Sequence, residues 1–363
     1  MDFNFTEEQQ MLRDSVGKFF EKSYDFDTRQ ELVLSDAPWS NEVWQQFAEF
    51  GLLALPFSED QGGLGGSVSD CVAFAELFGK HLVIEPYVTS ILLGAAALAA
   101  SESESAQQLL ENVQSGGTVA SFVFEEGRGT ASLDQIEMVA SAIEGGFTLT
   151  GEKRNVLAGA EADILIVAAR KGEAGEPALF LVRQGDAGLS SRSFTTIDGR
   201  SAANITFKTV PAEEIASGRE TVERILSQAI IAQCAEAVGA MGALLSATAE
   251  YAMTRKQFGV PIGSFQAVAH RLADMKIAYN KARATLIYTT ALAESGAASS
   301  RDMAILKGQT GKLGKAVGEA AIQTHGGVGM TDELSIGHYH KRLLALDAQF
   351  GGHSYHLRKV GQS

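Results

Sequence analysis

Residues 229–275 read AIIAQCAEAVGAMGALLSATAEYAMTRKQFGVPIGSFQAVAHRLADM, and the rest of the chain is organised around them. Its first half is a long and almost wholly apolar run that predicts a buried helix, with Gly239 and Gly242 three residues apart. Glycines remove side chains from one helix face, so a flat ligand or another backbone can approach closely. The second half runs through Arg255 and Phe258 to a Pro-Ile-Gly turn and a further amphipathic helix.

The apolar run contains one carboxylate, Glu236. A buried glutamate either finds a partner or has its pKa raised, because an isolated buried charge is costly. A glutamate tuned in this way suits general-base chemistry, so Glu236 is the candidate base. The alternative is that Glu236 lies on an exposed stripe of the helix.

Length and charge limit the classes of function. A chain of 363 residues is too long for one simple core and predicts two or three packed units. The net charge of −14 argues against nucleic acid or an anionic membrane as the main partner. A phosphate-bearing ligand would therefore need a few placed Arg or Lys side chains, or helix N-termini.

The cysteines and the N-terminus point to a cytoplasmic protein. Cys71 and Cys234 are too few for a disulfide framework and predict reduced core thiols. The first residues, MDFNFTEEQQMLRD, are acidic and amphipathic, which excludes a signal peptide. The longest apolar stretches, such as 91–100, are too short to span a bilayer.

The pattern along the chain predicts an α+β fold in three domains. An N-terminal all-α domain covers 1–116, a small antiparallel β domain covers 117–211, and a C-terminal bundle similar to a four-helix bundle covers 212–363. Predicted helices begin after the N-cap residues Thr6 and Ser40 and cover 70–77, 91–100, 106–113, 220–254, 266–294, 299–325 and 337–348. Predicted strands are 119–124, 137–142, 147–152, 164–169, 178–183, 189–193 and 203–210. The glycines of 61–67 are interpreted as a tight turn, because no strand leads into them.

Two segments carry a resemblance to a known family. The segment RKQFGVPIGSFQ (255–266) is similar to the pattern R-x-x-F-G-x-x-I-x-x-F-Q of the acyl-CoA dehydrogenase flavoproteins. The segment QTHGGVGMTDE (323–333) is similar to the family pattern Q-x-x-G-G-x-G-x-x-x-E. The order of helical, β and helical domains agrees with this family.

The resemblance implies FAD as the cofactor. Arg255 would contact the pyrophosphate through its fixed charge, Phe258 would offer a face for a ring, and Gln266 would offer amide hydrogen bonds. In the second motif, Gln323 and the backbone N–H groups of Gly326 and Gly327 would approach the phosphates. The resemblance further implies that the first set and the second set come from two subunits of a dimer.

The implied reaction is α,β-dehydrogenation of an acyl-CoA thioester, as in lipid degradation. A carboxylate removes the α-proton, the β-hydrogen leaves as hydride to the flavin, and an electron-transferring flavoprotein then accepts the electrons. The implied partners are an acyl-CoA substrate, this electron acceptor and further subunits, either in a homotetramer (a dimer of dimers) or with a second acyl-CoA dehydrogenase subunit.

The chain departs from the family at both usual base positions. The late Tyr-Glu-Gly turn is matched by Phe350-Gly351-Gly352, and the early position, by spacing, is Ala229. Glu236 is the remaining candidate, and Asp347 is an alternative acid. This arrangement resembles bacterial members that act on bulky or dicarboxylic acyl-CoAs, some of which assemble from two different subunits.

Three functional hypotheses follow. The first is an active FAD-dependent dehydrogenase with Glu236 as base, and the second is a non-catalytic partner subunit of a mixed complex. A different flavin reaction on the same fold, such as monooxygenation, is the third. The middle-domain residues Phe124, Asn155 and Leu157 stand where Thr, Trp and Thr are usual, which favours the second. The four histidines at 338, 340, 353 and 356 match no known metal spacing, so no metal site is predicted.

Overall fold

The structure, a computed structural model, describes residues 7–127, 132–172 and 175–362. These residues divide into two compact units. The first unit contains the described parts of 1–29, 71–83 and 231–363, and the second contains those of 30–70 and 84–230. The predicted domain boundaries at 116 and 211 stay a prediction.

The first part of the chain is helical, as predicted. Its helices are α1 (Glu7–Ser23), α2 (Phe26–Leu34), α3 (Asn41–Glu49), α4 (Val68–His81), a π-helical segment (Val88–Ala95) continued by α5 (Ala96–Ala99), and α6 (Glu104–Gln114). The N-cap at Ser40 is confirmed, since its hydroxyl accepts a hydrogen bond from the backbone N–H of Val43 at 3.2 Å. The predicted N-cap Thr6 lies outside the described residues. The sequence analysis missed α2, which has no clear apolar stripe.

The middle of the chain forms a mixed sheet rather than the antiparallel one predicted. All seven predicted strands are present, as β1 (Ala120–Val123), β2 (Val139–Ile143), β3 (Gly146–Leu157), β4 (Ile164–Lys171), β5 (Pro177–Arg183), β6 (Leu189–Thr195) and β7 (Ser201–Ser217). Strands β4, β2, β3, β7 and β5 pair in that order, and β5 pairs back to β4, so the sheet closes on itself. The pairings β1–β4 and β2–β4 are parallel. The alternation of apolar residues could not reveal this, because it gives strand position but not strand direction.

A buried lysine ties the sheet together. The Lys153 ammonium group is fully buried and donates hydrogen bonds to the backbone oxygens of Phe124 (3.1 Å) and Ala168 (2.6 Å). It also donates to the Glu126 carboxylate at 2.7 Å. Burial lowers the pKa of Lys153 to about 8, although Glu126 acts in the opposite direction. These partners fix the segment that follows β1.

The last part of the chain is again helical. It contains α7 (Arg219–Thr254), a short hairpin of β8 (Lys256–Gln257) and β9 (Val260–Pro261), α8 (Gln266–Glu294), α9 (Ser300–His325), α10 (Ser335–Ala348) and α11 (His353–Gln362). The helices predicted from 220, 266, 299 and 337 are confirmed, and α11 was missed. Helix α7 is long and apolar enough to cross a membrane, but 67% of its most apolar window is buried inside the protein, as in a core helix.

Two glycines allow α4 and α7 to cross in close contact within the first unit. A Cβ atom on Gly239 of α7 would lie 1.9 Å from the backbone oxygen of Glu76 on α4. A Cβ atom on Gly79 of α4 would lie 1.8 Å from the backbone oxygen of Glu236 on α7. The approach at Gly239 is therefore by another backbone, which was one of the two possibilities that the sequence left open.

Gly239→Ala is expected to destabilise the protein by at least about 2 kcal/mol, because the crossing must open to admit a methyl group. Chemical denaturation measures this directly. Gly17→Ala is the matched control: Gly17 lies in helix α1, and a Cβ atom there would meet no atom within 4 Å. That change should stabilise by about 0.5–1 kcal/mol through helix propensity. Equal effects of the two substitutions would contradict the close crossing.

Candidate cofactor site and candidate base

The candidate base Glu236 is buried in an ion pair. One of its carboxylate oxygens accepts a hydrogen bond from Arg342 Nε at 2.7 Å, and the other accepts from an Arg342 terminal nitrogen at 2.7 Å. The two side chains are only 2% and 3% exposed. Parallel bonds of this kind are the strongest ion-pair geometry available to an arginine and a carboxylate.

This geometry decides between the possibilities left open for Glu236. The exposed-stripe alternative is wrong, and the carboxylate has a partner rather than an apolar slot of its own. To accept a proton from carbon, an oxygen of Glu236 would have to leave a buried guanidinium, which would then be uncompensated. The assignment of Glu236 as base stays a prediction that this geometry does not favour.

The sequence analysis missed Arg342, and a signal for it existed. A glutamate that is expected to be buried requires a buried cation elsewhere in the chain. Helix α10 places Arg342 on the face that also carries His338 and Leu346, four residues away on either side, and all three are buried. An arginine on the apolar face of a helix is the expected counter-ion.

The carboxylate of the alternative acid Asp347 is also engaged in hydrogen bonds. Its carboxylate accepts hydrogen bonds from the backbone N–H of His353 at 2.8 Å and from the His353 ring at 2.6 Å. The turn between these two residues holds Gly351, with φ +89°, where the family pattern has glutamate. The other usual base position, Ala229, is a fully buried methyl group. None of these four positions offers an unengaged carboxylate.

Arg255 presents an exposed guanidinium on a fixed backbone. Its backbone N–H donates to Tyr251 at 2.8 Å, and its backbone oxygen accepts from Ile262 at 2.8 Å, which holds both ends of the intervening hairpin. The Arg255 side chain is exposed and has no hydrogen bond or ion pair with any residue that the structure describes. A cation held in this way is available for a ligand anion.

Phe258 presents its ring to solvent from a strained position. Phe258 (φ +54°) and Gly259 (φ +84°) form the two-residue loop between β8 and β9, and Phe258 is 93% exposed. A phenylalanine with this φ costs about 1–2 kcal/mol, and Asn or Gly is usual in such a hairpin loop. The ring contacts Phe265 edge to face, with centroids 6.2 Å apart. Neither chain packing nor turn chemistry explains an aromatic residue here, but a stacking ligand would.

Helix α8 begins beside these residues without a side-chain cap. Phe265 occupies its N-cap position and makes no capping hydrogen bond, and Gln266 is the exposed first residue of the helix. Free N–H groups at the start of a long helix attract anions, and this attraction adds to the charge of Arg255. The segment 255–266 therefore combines a cation, an aromatic face and a helix N-terminus.

The glycine loop of the second motif is open. Helix α9 ends at Gly326, which has φ +67°, and a Cβ atom on either Gly326 or Gly327 would meet no atom within 4 Å. Gln323, Gly326 and Gly327 are all exposed. A ligand could therefore approach the backbone N–H groups of this loop closely.

A ring stack brings the two motifs together in one chain. Tyr251, one turn before Arg255, stacks on His325, the residue before Gly326, with ring centroids 4.3 Å apart and an interplanar angle of 24°. The end of α7 and the end of α9 are therefore neighbours within the first unit. The resemblance implies that the two residue sets at one cofactor come from two subunits, and this stays a prediction.

These residues fit FAD. The unpaired guanidinium and the open helix N-terminus suit its pyrophosphate, and the exposed phenyl ring suits a flat ring of the cofactor. The two open glycines would admit phosphate oxygens to backbone N–H groups. In the described ranges, no group of three or more His, Cys, Asp or Glu side chains could hold a metal ion.

Comparisons of the sequence with known families identify the family of the chain. The profile described as "Acyl-CoA dehydrogenase, N-terminal domain" matches residues 6–117, and the profile described as "Acyl-CoA dehydrogenase, C-terminal domain" matches residues 216–363. Among curated proteins, the chain is 29% identical to acyl-CoA dehydrogenase FadE27 of Mycobacterium tuberculosis. That alignment covers 100% of this chain and 98% of the relative.

Solved structures share the fold over the full length. One chain of the ChsE4–ChsE5 complex from Mycobacterium tuberculosis is 28% identical with a TM-score of 0.92, covering 100% of this chain and 98% of that one. The structure described as PigA with FAD and proline has a TM-score of 0.89 and covers 100% of this chain and 98% of that chain. It is 24% identical, so it supports the fold alone.

Proposed function

Since this chain belongs to the acyl-CoA dehydrogenase family, we propose that it holds FAD in an assembly that removes hydrogen from an acyl-CoA thioester. The observation that carries this proposal is the Arg255 guanidinium, which has no partner among the residues that the structure describes, on the segment that also exposes the strained Phe258 ring. The strained backbone of Phe258 costs stability, and the Arg255 guanidinium has no partner among the described residues. Bound FAD would give both residues a contact.

The chain's own residues would bind and orient the cofactor. Arg255 and the start of α8 would neutralise the pyrophosphate, Phe258 would cover one face of a ring, and Gln266 would fix its rotation through amide hydrogen bonds. Bound FAD supplies the hydride acceptor for the β-hydrogen of the thioester. An electron-transferring flavoprotein is the proposed final acceptor.

We place the base for the α-proton on a second, homologous chain. Glu236 is engaged by Arg342, Asp347 by His353, and the positions Ala229 and Gly351 have no acid. The ChsE4–ChsE5 structure is a complex of two named proteins, which supports a mixed assembly as a precedent. A homotetramer in which Glu236 acts after leaving Arg342 is the competing candidate. A cytoplasmic location and a role in lipid degradation belong to the same proposal.

Phe258→Asn is expected to weaken FAD binding without lowering the free energy of unfolding. Asparagine tolerates the positive φ of this loop better than phenylalanine, so the free energy of unfolding should stay unchanged or rise by about 0.5–1 kcal/mol. The dissociation constant for FAD should rise about tenfold, because the stacking face is lost. Flavin fluorescence titration and chemical denaturation measure the two quantities on the same preparations.

Phe258→Tyr is the control, since it keeps an aromatic face in the same backbone conformation. The dissociation constant of this variant for FAD should stay within about twofold of the wild-type value. A tenfold change would require about 1.4 kcal/mol of binding free energy, and the substitution should change it by much less. If Phe258→Asn binds FAD as tightly as the wild type does, Phe258 does not contact the cofactor. In that case the exposed ring would need another explanation, such as a contact with a protein partner.

A further inference from the structure

The glycine loop of the second motif, residues 326–330, rests on the side chain of His325. The loop is a single 3-10 turn that follows α9, and of its residues only Gly329 is buried. A Cβ atom on Gly329 would lie 2.8 Å from the Cβ atom of His325, so the loop packs directly on this side chain. The position of the loop therefore depends on the position of His325.

The ring of His325 is fixed by a hydrogen bond and a stack. His325 is 7% exposed, and its Nδ1 lies 2.9 Å from the backbone oxygen of Ala321. A carbonyl oxygen can only accept, so Nδ1 carries the proton and donates it to this bond. One face of the ring stacks on Tyr251, with centroids 4.3 Å apart. Because Nε2 has no proton in the neutral ring, His325 is better suited to support the loop than to donate to a phosphate itself.

Tyr251 contributes to this arrangement through its ring. The Tyr251 hydroxyl group forms no hydrogen bond with any residue in the described ranges. The Tyr251 backbone oxygen accepts from the backbone N–H of Arg255 at 2.8 Å, so the ring lies one helical turn before the guanidinium of the first motif. Ring pairs of this kind change an equilibrium constant by roughly two- to tenfold.

We propose that Tyr251 is a positioning residue for the cofactor, and that it acts through His325 on the glycine loop. The stack holds the backbone N–H groups of Gly326 and Gly327 in the place where phosphate oxygens would meet them. A loop that is held in place before binding loses less conformational freedom when the ligand binds, so the affinity rises. This inference rests on the proposed function in one respect, namely that the loop contacts FAD.

The first test measures the dissociation constant for FAD by flavin fluorescence titration of the wild type, Tyr251→Leu and Tyr251→Phe. Tyr251→Leu should raise this constant about fivefold, because FAD must then order the loop as it binds. Tyr251→Phe should keep the wild-type value, since it retains the ring and removes only the hydroxyl group. An unchanged constant in Tyr251→Leu would overturn the proposal, as would an equal loss of affinity in Tyr251→Phe.

Phe20→Leu is the matched control, because it removes another stack of an aromatic ring on a histidine in the same unit. Phe20 of α1 stacks on His81 of α4, with centroids 5.2 Å apart and an interplanar angle of 26°. The proposed cofactor contacts do not involve these two helices. Phe20→Leu should lower the free energy of unfolding, as Tyr251→Leu does, but keep the wild-type affinity for FAD. Equal losses of affinity in the two variants would mean that Tyr251 acts only through general stability, which would overturn the proposal.

A double-mutant cycle tests whether Tyr251 acts through His325. Tyr251→Leu and His325→Leu each remove the same stack, so the double variant should lose little more affinity for FAD than His325→Leu alone. Losses that multiply would show two independent effects and would contradict the proposed path.

Amide hydrogen exchange of the FAD-free protein separates failure of this inference from failure of the proposed function. Exchange in a peptide that covers 323–334 should be about threefold faster in Tyr251→Leu than in the wild type and unchanged in Phe20→Leu, since loops exchange through local motions. If the wild type binds no FAD but this difference is found, the proposed function is wrong and Tyr251 still positions the loop. If Tyr251→Leu leaves the exchange unchanged, the positioning role is wrong whether or not FAD binds.

Discussion

Arg342→Met is expected to reduce the free energy of unfolding by about 3–5 kcal/mol. The substitution leaves the Glu236 carboxylate buried without its counter-ion, and removing one member of a buried ion pair typically costs this amount. Glu236→Leu should be comparably damaging, since it leaves the guanidinium unpaired. The double variant Glu236→Leu with Arg342→Met should be more stable than either single variant, because no buried charge remains.

Lys341→Met is the control for this experiment. Lys341 pairs with Asp332 at 2.8 Å, but the two side chains are 41% and 76% exposed, so the change should cost less than about 1 kcal/mol. Chemical denaturation of the five proteins gives all the values required. Single variants as stable as the wild type would contradict a structural role for the pair. Glu236 would be supported as the base if Glu236→Gln abolished exchange of the α-proton of an acyl-CoA thioester while leaving the unfolding curve unchanged.

Arg255→Met is expected to raise the dissociation constant for FAD by roughly 100-fold or more. Two charge-assisted hydrogen bonds to a phosphate contribute about 1.5–3 kcal/mol each, and methionine keeps the length of the side chain without its charge. Folding should be affected by less than about 0.5 kcal/mol, because the Arg255 side chain is exposed and has no partner in the described part of the chain. Flavin fluorescence titration at two salt concentrations checks the electrostatic origin.

The neighbouring residue supplies a stringent control. Lys256 is also an exposed cation, and it precedes Gln257 on the first strand of the hairpin. Lys256→Met changes the net charge by the same amount, but we expect only a few-fold loss of affinity, since general electrostatic attraction is screened by salt. An equal loss for the two variants would mean that Arg255 acts only through net charge.

Most helices and strands were predictable from the sequence, but the direction of strand pairing and one short polar helix were not. Helix α7 was found because its apolar run is too long for a strand, and strand β4 was found because it is a short apolar run typical of a buried strand. The parallel pairings of β4 with β1 and β2 were not predicted, because the partner and direction of a strand depend on the path of the whole chain. Helix α11 was missed because its short polar sequence, HSYHLRKVGQ, has only one buried residue, His356.

The residues of the candidate site could be named from the sequence, but their pairings could not. The motif residues Arg255 and Phe258 were named from the sequence. The structure adds that the Arg255 side chain has no partner among the described residues and that Phe258 has a strained backbone. The sequence located Glu236 as a buried carboxylate but gave no way to identify its partner, which lies 106 residues away. Long-range pairs of this kind are fixed by helix packing, here by the packing that brings Arg342 of α10 to Glu236 of α7.

The central claim is that this chain holds the cofactor but does not itself supply the base. The most direct measurement is the visible spectrum of the purified, FAD-loaded chain on anaerobic addition of acyl-CoA thioesters. It is recorded first for the chain alone and then with the proposed second chain, which is to be isolated from the source cells by co-purification. We predict bound oxidised flavin that no thioester reduces until the proposed second chain is added. Reduction of the flavin by the single chain, or a chain that binds no flavin, would contradict the account.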